Sequence, residues 1–424
     1  MNREFDIETR CVHGGYEPEG PYRPIAPPLY LTNAYDLGSV EEARGLFALE
    51  REGDVYSRIS NPTNAFLERR LADLEGGAAA VAFASGHAAI FGVMATLCRA
   101  GDEIVASSSI YGGAINLLGV TLREFGILTR FADVNDPESF ARLTNPKTRA
   151  WFAESVGNPT AAVADVRALS DLAKAAGVPL VIDSTFTPPT LFQPIRWGAD
   201  IVVHSSTKYI GGHAAVMGGI AVDSGRFEFG GNPRFEAFNR PDPSYHGKVF
   251  ARDFGALAFA TRLRANALRD IGACASPFNS YMMLIGLETL HLRMERHCAN
   301  AGAVARLLAS HPSVESVSYP LLPESRYYPL ASLQFPNGCG AIFSFEIAGG
   351  GEAGARFVDR LKLLRPVANV GDTRSIVAHP ASTTHSQLSP EQLRAGGITE
   401  STIRLSIGIE SEADILEDID RALR

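Results

Sequence analysis

The feature that most limits the folds open to this chain of 424 residues is an alternation of short apolar runs and amphipathic stretches. Runs typical of β-strands occupy the ranges 78–84, 103–107, 128–133, 150–154, 180–183, 201–204 and 219–222. Stretches typical of helices lie between them, at 85–98, 112–124, 136–143 and 165–176. This alternation predicts an α/β fold with a mainly parallel sheet that helices cover on both faces.

The segments on either side of this region have different patterns. Residues 1–60 are rich in proline and predict an extended, irregular arm. After residue 273 a long helical stretch, 279–310, leads into an alternating strand, which predicts a smaller α+β domain. We therefore predict an arm over 1–60, a large domain over 61–272 and a small C-terminal domain over 273–424.

Composition argues against several classes of protein. The 39 Lys and Arg residues against 47 Asp and Glu give a net charge of -8, whereas nucleic-acid-binding proteins concentrate positive charge. The apolar runs are far shorter than the ~20 residues that span a membrane, and the first ten residues lack the pattern of a signal peptide. The five cysteines are scattered, which argues against a metal site or a disulfide framework. We expect no nucleic-acid or membrane partner, no metal and a cytoplasmic location.

Two of the predicted strands lead into residues that carry chemistry. Ligands of open α/β sheets bind beyond the carboxyl ends of the strands. The run 180–182 ends at Asp183, for which a helix cap or a structural salt bridge is the simpler interpretation when it is taken alone. The run 201–204 leads through Ser205 to Lys208, a setting typical of a lysine that forms a Schiff base with a carbonyl cofactor, although a lone lysine is usually a surface charge.

A third junction, Ser85-Gly86-His87, turns a predicted strand into a helix. Backbone amides at the start of a helix favour an anion, yet this turn lacks the spacing of established phosphate-binding loops. The three junctions together match the needs of pyridoxal phosphate. Its phosphate needs an anchor, its ring nitrogen needs an acid such as Asp183, and its aldehyde needs a lysine such as Lys208.

Further segments form an ordered set along nearly the whole chain. They are 56–63, 84–89, 110–113, 157–159, 183–185, 205–213, 379–382 and 403–409. This set resembles the Cys/Met-metabolism family of pyridoxal-phosphate enzymes. Within that family, the resemblance to the O-acetylhomoserine sulfhydrylase subgroup is greatest at 241–247, 268–272, 276–279, 286–290, 369–372 and 379–388.

The resemblance implies a fold, a cofactor and a reaction. The fold is the type I PLP-dependent transferase fold, with pyridoxal 5'-phosphate bound to the large domain. The reaction is γ-replacement on O-acetyl-L-homoserine with sulfide or a thiol, which gives L-homocysteine or a homologue and acetate.

The resemblance also assigns roles to individual residues. Lys208 carries the cofactor and moves protons, Asp183 pairs with the pyridine nitrogen, and Tyr111 stacks on the ring and contacts the substrate. Arg404, with Asn369 beside it, binds the substrate α-carboxylate, which suits a planar two-pronged donor. The implied cofactor-binding residues are Gly86, His87, Asn158, Asp183, Ser205, Thr207, Lys208, Tyr56 and Arg58. Without the resemblance, an exposed strand charge would be the simpler interpretation of Arg404.

Tyr56 and Arg58 match family positions that reach the phosphate in a neighbouring subunit. A complete site therefore implies at least a dimer, and the family implies a homotetramer built as a dimer of dimers. The arm that carries these residues is thus expected to contact the neighbouring subunit.

Several positions depart from the family pattern. They are His87, Ala114, Ser184, Ala214 and Ala215. Gly113 lies where methionine γ-lyases commonly carry cysteine, which argues modestly against a dedicated lyase. The acyl leaving group (acetyl, succinyl or phospho) and the nucleophile stay open. The alternatives are a γ-lyase acting on methionine, cystathionine or homocysteine, and γ-substitution with a non-sulfur nucleophile. A non-catalytic binding protein is disfavoured because the predicted catalytic residues are intact.

Overall fold

The part of the chain that the structure describes folds around two β-sheets, a larger one over residues 79–223 and a smaller one over residues 314–406. The structure, a computed structural model, describes residues 5–18, 20–383 and 397–424. The subgroup-specific segment 379–388 therefore lies outside the described residues from 384 onward.

The larger sheet has seven strands. Their bounds are β1 Ala79–Phe83, β2 Glu103–Ser107, β3 Leu128–Ala132, β4 Thr148–Glu154, β5 Leu180–Asp183, β6 Ile201–His204 and β7 Gly219–Asp223. They lie in the order β1-β7-β6-β5-β4-β2-β3. β7 runs antiparallel to both of its neighbours, and the other pairs are parallel. The predicted α/β fold with a mainly parallel large sheet is confirmed.

The smaller sheet belongs to the C-terminal part of the chain. Its strands are β8 Val314–Val317, β9 Ile342–Ile347, β10 Arg365–Pro366, β11 Ile376–Ala378 and β12 Thr402–Ser406. They lie in the order β10-β11-β12-β9-β8, and only β10 and β11 pair in parallel. A mainly antiparallel sheet with helices is the architecture predicted for this part.

Helices connect and cover the strands. Within the described residues they are α1 Ile7–His13, α2 Val40–Phe47, α3 Pro62–Glu75, α4 Gly86–Leu97, α5 Gly112–Asn116, α6 Leu122–Glu124, α7 Glu138–Leu143, α8 Val166–Ala176, α9 Glu236–Asn239, α10 Phe250–Phe254, α11 Ala258–Arg262, α12 Arg269–Ile271, α13 Pro277–Glu288, α14 Leu290–Ser310, α15 Tyr328–Gln334, α16 Gly350–Arg360 and α17 Glu412–Leu423. A π-helical turn, Leu117–Thr121, joins α5 to α6. In this described part, no helix is both long and apolar enough to cross a membrane.

Local sequence explains where the long helices begin and end. Asn61 precedes α3, and its side chain accepts a hydrogen bond from the amide of Thr63, which satisfies one unpaired helix donor. Asp165 caps α8 in the same way. Gly76 and Gly177 end these helices at φ of 73° and 69°, the left-handed region that glycine enters without steric cost.

The core lies on both faces of the large sheet. Leu180 and Ile182 of β5 belong to one buried cluster, which continues into the C-terminal part of the chain. Val181, between them, belongs to the second cluster, on the other face. Because successive side chains of a strand point to opposite faces, a continuous apolar run marks a strand that is buried on both.

The prediction that residues 1–60 are irregular is wrong at two places, where α1 and α2 form. α2 begins with a capping box, in which the Ser39 side chain accepts from the Glu42 amide and the Glu42 carboxylate accepts from the Ser39 amide. The arm is thus partly helical.

The long helical stretch predicted over 279–310 consists of two helices, α13 and α14, with a break at Thr289 that was not predicted. The break leaves carbonyl groups of α13 free, and the Arg293 guanidinium of α14 reaches back to donate to the carbonyl of Gly286 at 2.7 Å. α13 also packs against α3 of the large part, although it lies beyond residue 272. The domain boundaries stay a prediction.

Candidate active site

The carboxyl ends of three neighbouring parallel strands bring the first candidate residues together. β4 ends at Glu154 and β5 ends at Asp183, and these two residues are register partners. β6 lies on the other side of β5 and leads directly into the turn that carries Lys208. The residues predicted to bind a ligand after these strands therefore lie at one shared edge of the sheet.

Lys208 is half-buried, and its side chain bonds a residue in the C-terminal part of the chain. Its Nζ donates to the Asn369 Oδ1 atom at 2.5 Å, across 161 residues of sequence. Burial, together with the positive charge of Arg404, lowers the pKa of the Lys208 amine to about 8. An amine with such a pKa can lose its proton near neutral pH, which a lysine that reacts with a carbonyl requires.

Arg404 brings a buried positive charge to the same place from β12. The residue is 5% exposed, and its guanidinium donates to Asn158 Oδ1 at 3.3 Å and to the Asn369 carbonyl oxygen at 3.2 Å. Within the described residues it forms no ion pair, and burial lowers its pKa to about 10. A buried guanidinium whose only partners are neutral is suited to bind a carboxylate.

Asp183, the acid predicted for a ring nitrogen, is partly buried. Its Oδ1 accepts from the amide of Thr185 at 2.9 Å, and burial raises the pKa of its carboxyl group. The Thr185 hydroxyl oxygen in turn accepts from the amide of Ser205 at 2.8 Å. This bond ties the turn after β5 to the turn that leads to Lys208.

The predicted phosphate-binding residues lie where α4 begins. The Ser85 side chain caps this helix by accepting from the amide of Ala88 at 3.1 Å, which leaves the amides of Gly86 and His87 without intrahelical partners. A Cβ atom on Gly86 would lie 2.7 Å from the Ser205 Cβ atom, so only glycine lets the start of the helix approach that turn. The Thr207 hydroxyl bonds both the carbonyl and the amide of Gly218, at 3.1 and 3.0 Å.

Tyr111 and His87 form an aromatic pair at the rim of this site. Their ring centroids are 5.6 Å apart, and Tyr111 is 44% exposed, so one face of the pair is open. A Cβ atom on Gly113 would lie 2.5 Å from the Tyr111 ring and 2.8 Å from the His87 ring. Burial lowers the pKa of His87, and the charge of Asp183 opposes this effect.

Tyr56 and Arg58 are the two predicted site residues that the structure does not bring to this cluster. The Arg58 guanidinium lies 5.7 Å from the Tyr56 ring centroid and donates to the carbonyl of Arg269. Both side chains are exposed. No described contact joins them to Lys208 or Asp183, and their role in a neighbouring subunit stays a prediction.

Glu154 is a site residue that the sequence analysis missed. It is only 7% exposed, and its two carboxylate oxygens accept from the amides of Tyr111 and Asn158. The sequence does indicate this position, because Glu154 ends an apolar strand run in the same manner as Asp183.

These residues fit pyridoxal phosphate. The start of α4 and the Ser205 turn close on one another as an anion cradle, because a Cβ atom on Gly86 would lie 2.7 Å from the Ser205 Cβ atom. Asp183 is a partly buried carboxylate with no ion pair among the described residues, and a protonated ring nitrogen would supply its counter-charge. Lys208 would supply the amine.

The amino-acid sequence is similar to those of two enzymes along nearly its whole length. An O-acetyl-L-homoserine sulfhydrylase from Leptospira meyeri is 47% identical over 434 residues, which cover 100% of this chain and 98% of that protein. A homocysteine synthase from Schizosaccharomyces pombe is 46% identical over 419 residues, which cover 98% of both chains.

Structural and family comparisons agree with these relatives. A solved structure from Campylobacter jejuni superposes with a TM-score of 0.96 at 40% identity, covers 99% of this chain and 100% of its own, and carries a pyridoxyl-lysine monophosphate group. The model of the family described as Cys/Met metabolism PLP-dependent enzyme matches residues 8–424. Since this match spans nearly the whole sequence, the chain belongs to the family of Cys/Met metabolism PLP-dependent enzymes.

Proposed function

We propose that this chain catalyses pyridoxal-phosphate-dependent γ-replacement on O-acetyl-L-homoserine, with sulfide or a thiol as the nucleophile. The products are L-homocysteine or a homologue and acetate. The observation that carries the proposal is the cluster of Lys208, Asn369, Asn158 and Arg404, in a chain 47% identical along its whole length to an O-acetyl-L-homoserine sulfhydrylase.

Different residues would hold different parts of the cofactor. The amides of Gly86 and His87, with the hydroxyls of Ser205 and Thr207, would hold the phosphate at the start of α4. Asp183 would keep a proton on the ring nitrogen, because this partly buried carboxylate gains a counter-charge only when that nitrogen is positive. When bound, the cofactor supplies a ring that accepts the negative charge that develops at the substrate α-carbon.

Other residues handle the substrate. Arg404 would bind the α-carboxylate through its two-pronged guanidinium, which orients the α-carbon towards Lys208. With a pKa of about 8, the Lys208 amine would remove the α-proton and later return a proton to the product. Asn369 accepts a hydrogen bond from this amine and would hold it in place between the two transfers. Tyr111 would cover the cofactor ring and serve as an acid or base.

The assay that tests this function measures products with and without sulfide. Purified protein, pyridoxal phosphate and O-acetylhomoserine are incubated with sulfide, methanethiol or cysteine, and O-succinylhomoserine and O-phosphohomoserine replace the acetyl ester in parallel. We expect homocysteine and acetate from the acetyl ester with sulfide. Formation of 2-oxobutyrate and ammonia at the full rate without a thiol, and no homocysteine, would instead identify a γ-lyase.

We also propose that the site is completed by a neighbouring subunit, within a cytoplasmic homotetramer. The exposure of Tyr56 and Arg58, away from the Lys208 cluster of their own chain, supports this arrangement. Arg58→Ala and Lys208→Ala proteins should each be inactive alone. Subunits mixed by unfolding and refolding should regain activity, because a hybrid pair contains one intact site. No regain in verified hybrids would contradict the shared site.

A further inference from the structure

Glu154 occupies a costly position at the carboxyl end of β4. Its carboxylate is 7% exposed and has no ion-pair partner in the described part of the chain. Its register partner across the parallel pair is another acid, Asp183. Burial and the charge of Asp183 both raise the pKa of Glu154 well above its ordinary value. A side chain kept under these conditions needs a compensating function.

The hydrogen bonds of Glu154 indicate that function. One carboxylate oxygen, Oε1, accepts from the backbone amide of Tyr111 at 2.7 Å. The other, Oε2, accepts from the backbone amide of Asn158 at 3.2 Å. Tyr111 is the N-cap residue of α5, so this bond fixes the backbone at the point where that helix begins. One carboxylate therefore fixes two loops that follow different strands.

The two supported residues reach different parts of the site. Asn158 accepts from the Arg404 guanidinium at 3.3 Å. The Tyr111 ring lies 5.6 Å, between centroids, from the ring of His87 at the start of α4. Glu154 thus supports one residue that contacts the buried cation and one that lies beside the predicted phosphate-binding turn.

We propose that Glu154 is a positioning residue that sets the distance between Tyr111 and Asn158, and through them the placement of the cofactor and of Arg404. It touches neither substrate nor cofactor in this role. The proposal rests on the proposed function only for the substrate, because cofactor binding measures the same positioning without turnover.

Glu154→Gln tests this role, because the amide group keeps the size of the side chain but leaves only one oxygen to accept. One of the two backbone amides then faces an NH₂ group. We expect the pyridoxal phosphate concentration for half-reconstitution to rise about tenfold, the absorbance band of the lysine-bound cofactor to shift, and kcat/KM to fall. Glu103→Gln is the matched control, since Glu103 is a buried acid at the amino end of β2. It should leave cofactor affinity and spectrum unchanged.

A double-mutant cycle separates positioning from general destabilisation. If Glu154 acts through Asn158, the losses caused by Glu154→Gln and Asn158→Ala will not add in the double variant. Additive losses, or a Glu154→Gln protein with wild-type cofactor affinity and spectrum, would overturn the proposal. If Glu154→Gln does not fold, the same measurements on Glu154→Asp decide, because the shorter carboxylate cannot reach both amides. A failed homocysteine assay with these binding results intact would reject only the proposed reaction.

Discussion

Two groups of buried charges, one at each end of the large sheet, are arranged in opposite ways. At the amino ends, Arg149 forms an ion pair with Asp102 at 2.7 Å, and both side chains are nearly buried. At the carboxyl ends, Lys208, Asp183 and Arg404 are all at least partly buried, and none forms an ion pair within the described residues. Arg149 and Asp102 neutralise one another at one end of the sheet, whereas the three charges at the other end are left for a ligand.

This difference indicates that the ion-paired charges contribute to stability and the unpaired charges to ligand binding. A buried ion pair is costly to break, because removing one partner leaves the other charge unpaired in a low-dielectric environment. A buried charge without a partner already destabilises the folded protein, and a ligand of opposite charge can offset this destabilisation when it binds. Substitution of the ion-paired residues at the amino ends should therefore reduce stability and spare activity. Substitution of the unpaired residues at the carboxyl ends should reduce activity and leave stability unchanged or higher.

The largest effect is expected for Lys208→Ala. The variant should lose activity by about a thousandfold or more, since it lacks the proton-transferring amine. It should also lose the covalent cofactor adduct that borohydride reduction traps in the wild-type protein. Its apoprotein should melt at or above the wild-type temperature, because a half-buried cation has been removed. A reducible adduct in this variant, found by mass spectrometry of digested peptides, would refute the assignment of Lys208.

Arg149→Ala tests the amino end. Loss of its guanidinium leaves Asp102 buried without its ion-pair partner, so the free energy of unfolding should fall by about 3 kcal/mol. Urea unfolding measures this change, and kcat/KM should stay close to the wild-type value. If activity falls as strongly as stability does, the two ends of the sheet are not separable.

Arg404→Lys sharpens the comparison at the carboxyl end. A lysine keeps the charge but cannot make the two parallel hydrogen bonds of a guanidinium to a carboxylate. We expect kcat/KM for the amino-acid substrate to fall about thirtyfold, with little change in unfolding free energy. Arg130→Lys is the matched control, because Arg130 pairs with Glu103 at the amino end of the sheet. Equal losses in both variants would exclude a specific role for Arg404.

The sequence predicted the residues whose role depends on a nearby strand end. Asp183, Lys208 and Gly86 each follow an apolar run, and the structure brings them to the same region of the large sheet. Arg404 and Asn369 were proposed only through the family resemblance. The hydrogen bond between Lys208 and Asn369 joins positions 161 residues apart, which local patterns do not encode.

The two errors in predicted helices, at Thr289 and in the N-terminal arm, also have local causes. The break at Thr289 was not predicted because apolar residues continue at helical spacing across it, with Leu287 and Leu290 on either side. The Arg293 side chain satisfies carbonyl groups near the break, and that contact is tertiary. α2 was missed because the abundant prolines of the arm outweighed the capping box formed by Ser39 and Glu42.

The smallest effect concerns Asp200, which lies just before β6 at the amino end of the sheet. Its carboxylate accepts from the amide of Leu180 at 2.8 Å, and burial raises its pKa to about 7, an effect that the charge of Asp223 increases and those of Lys174 and Arg226 reduce. The unfolded chain releases this proton near pH 4. The stability that the protonated group contributes is therefore complete below about pH 4 and is lost as the pH rises through 7.

Asp200→Asn should remove this loss, because an amide stays neutral and keeps an oxygen that accepts from Leu180. Between pH 6 and 7 the wild-type protein should lose roughly 1 kcal/mol of unfolding free energy relative to the variant. Urea unfolding at pH 5, 6, 7 and 8 measures the difference, and kcat/KM at each pH serves as the activity control. A constant difference across this range would mean that Asp200 does not titrate there. Asp200 would then be held ionised by Lys174 and Arg226, because a group that is ionised in both the folded and the unfolded state over this range adds no pH dependence to stability.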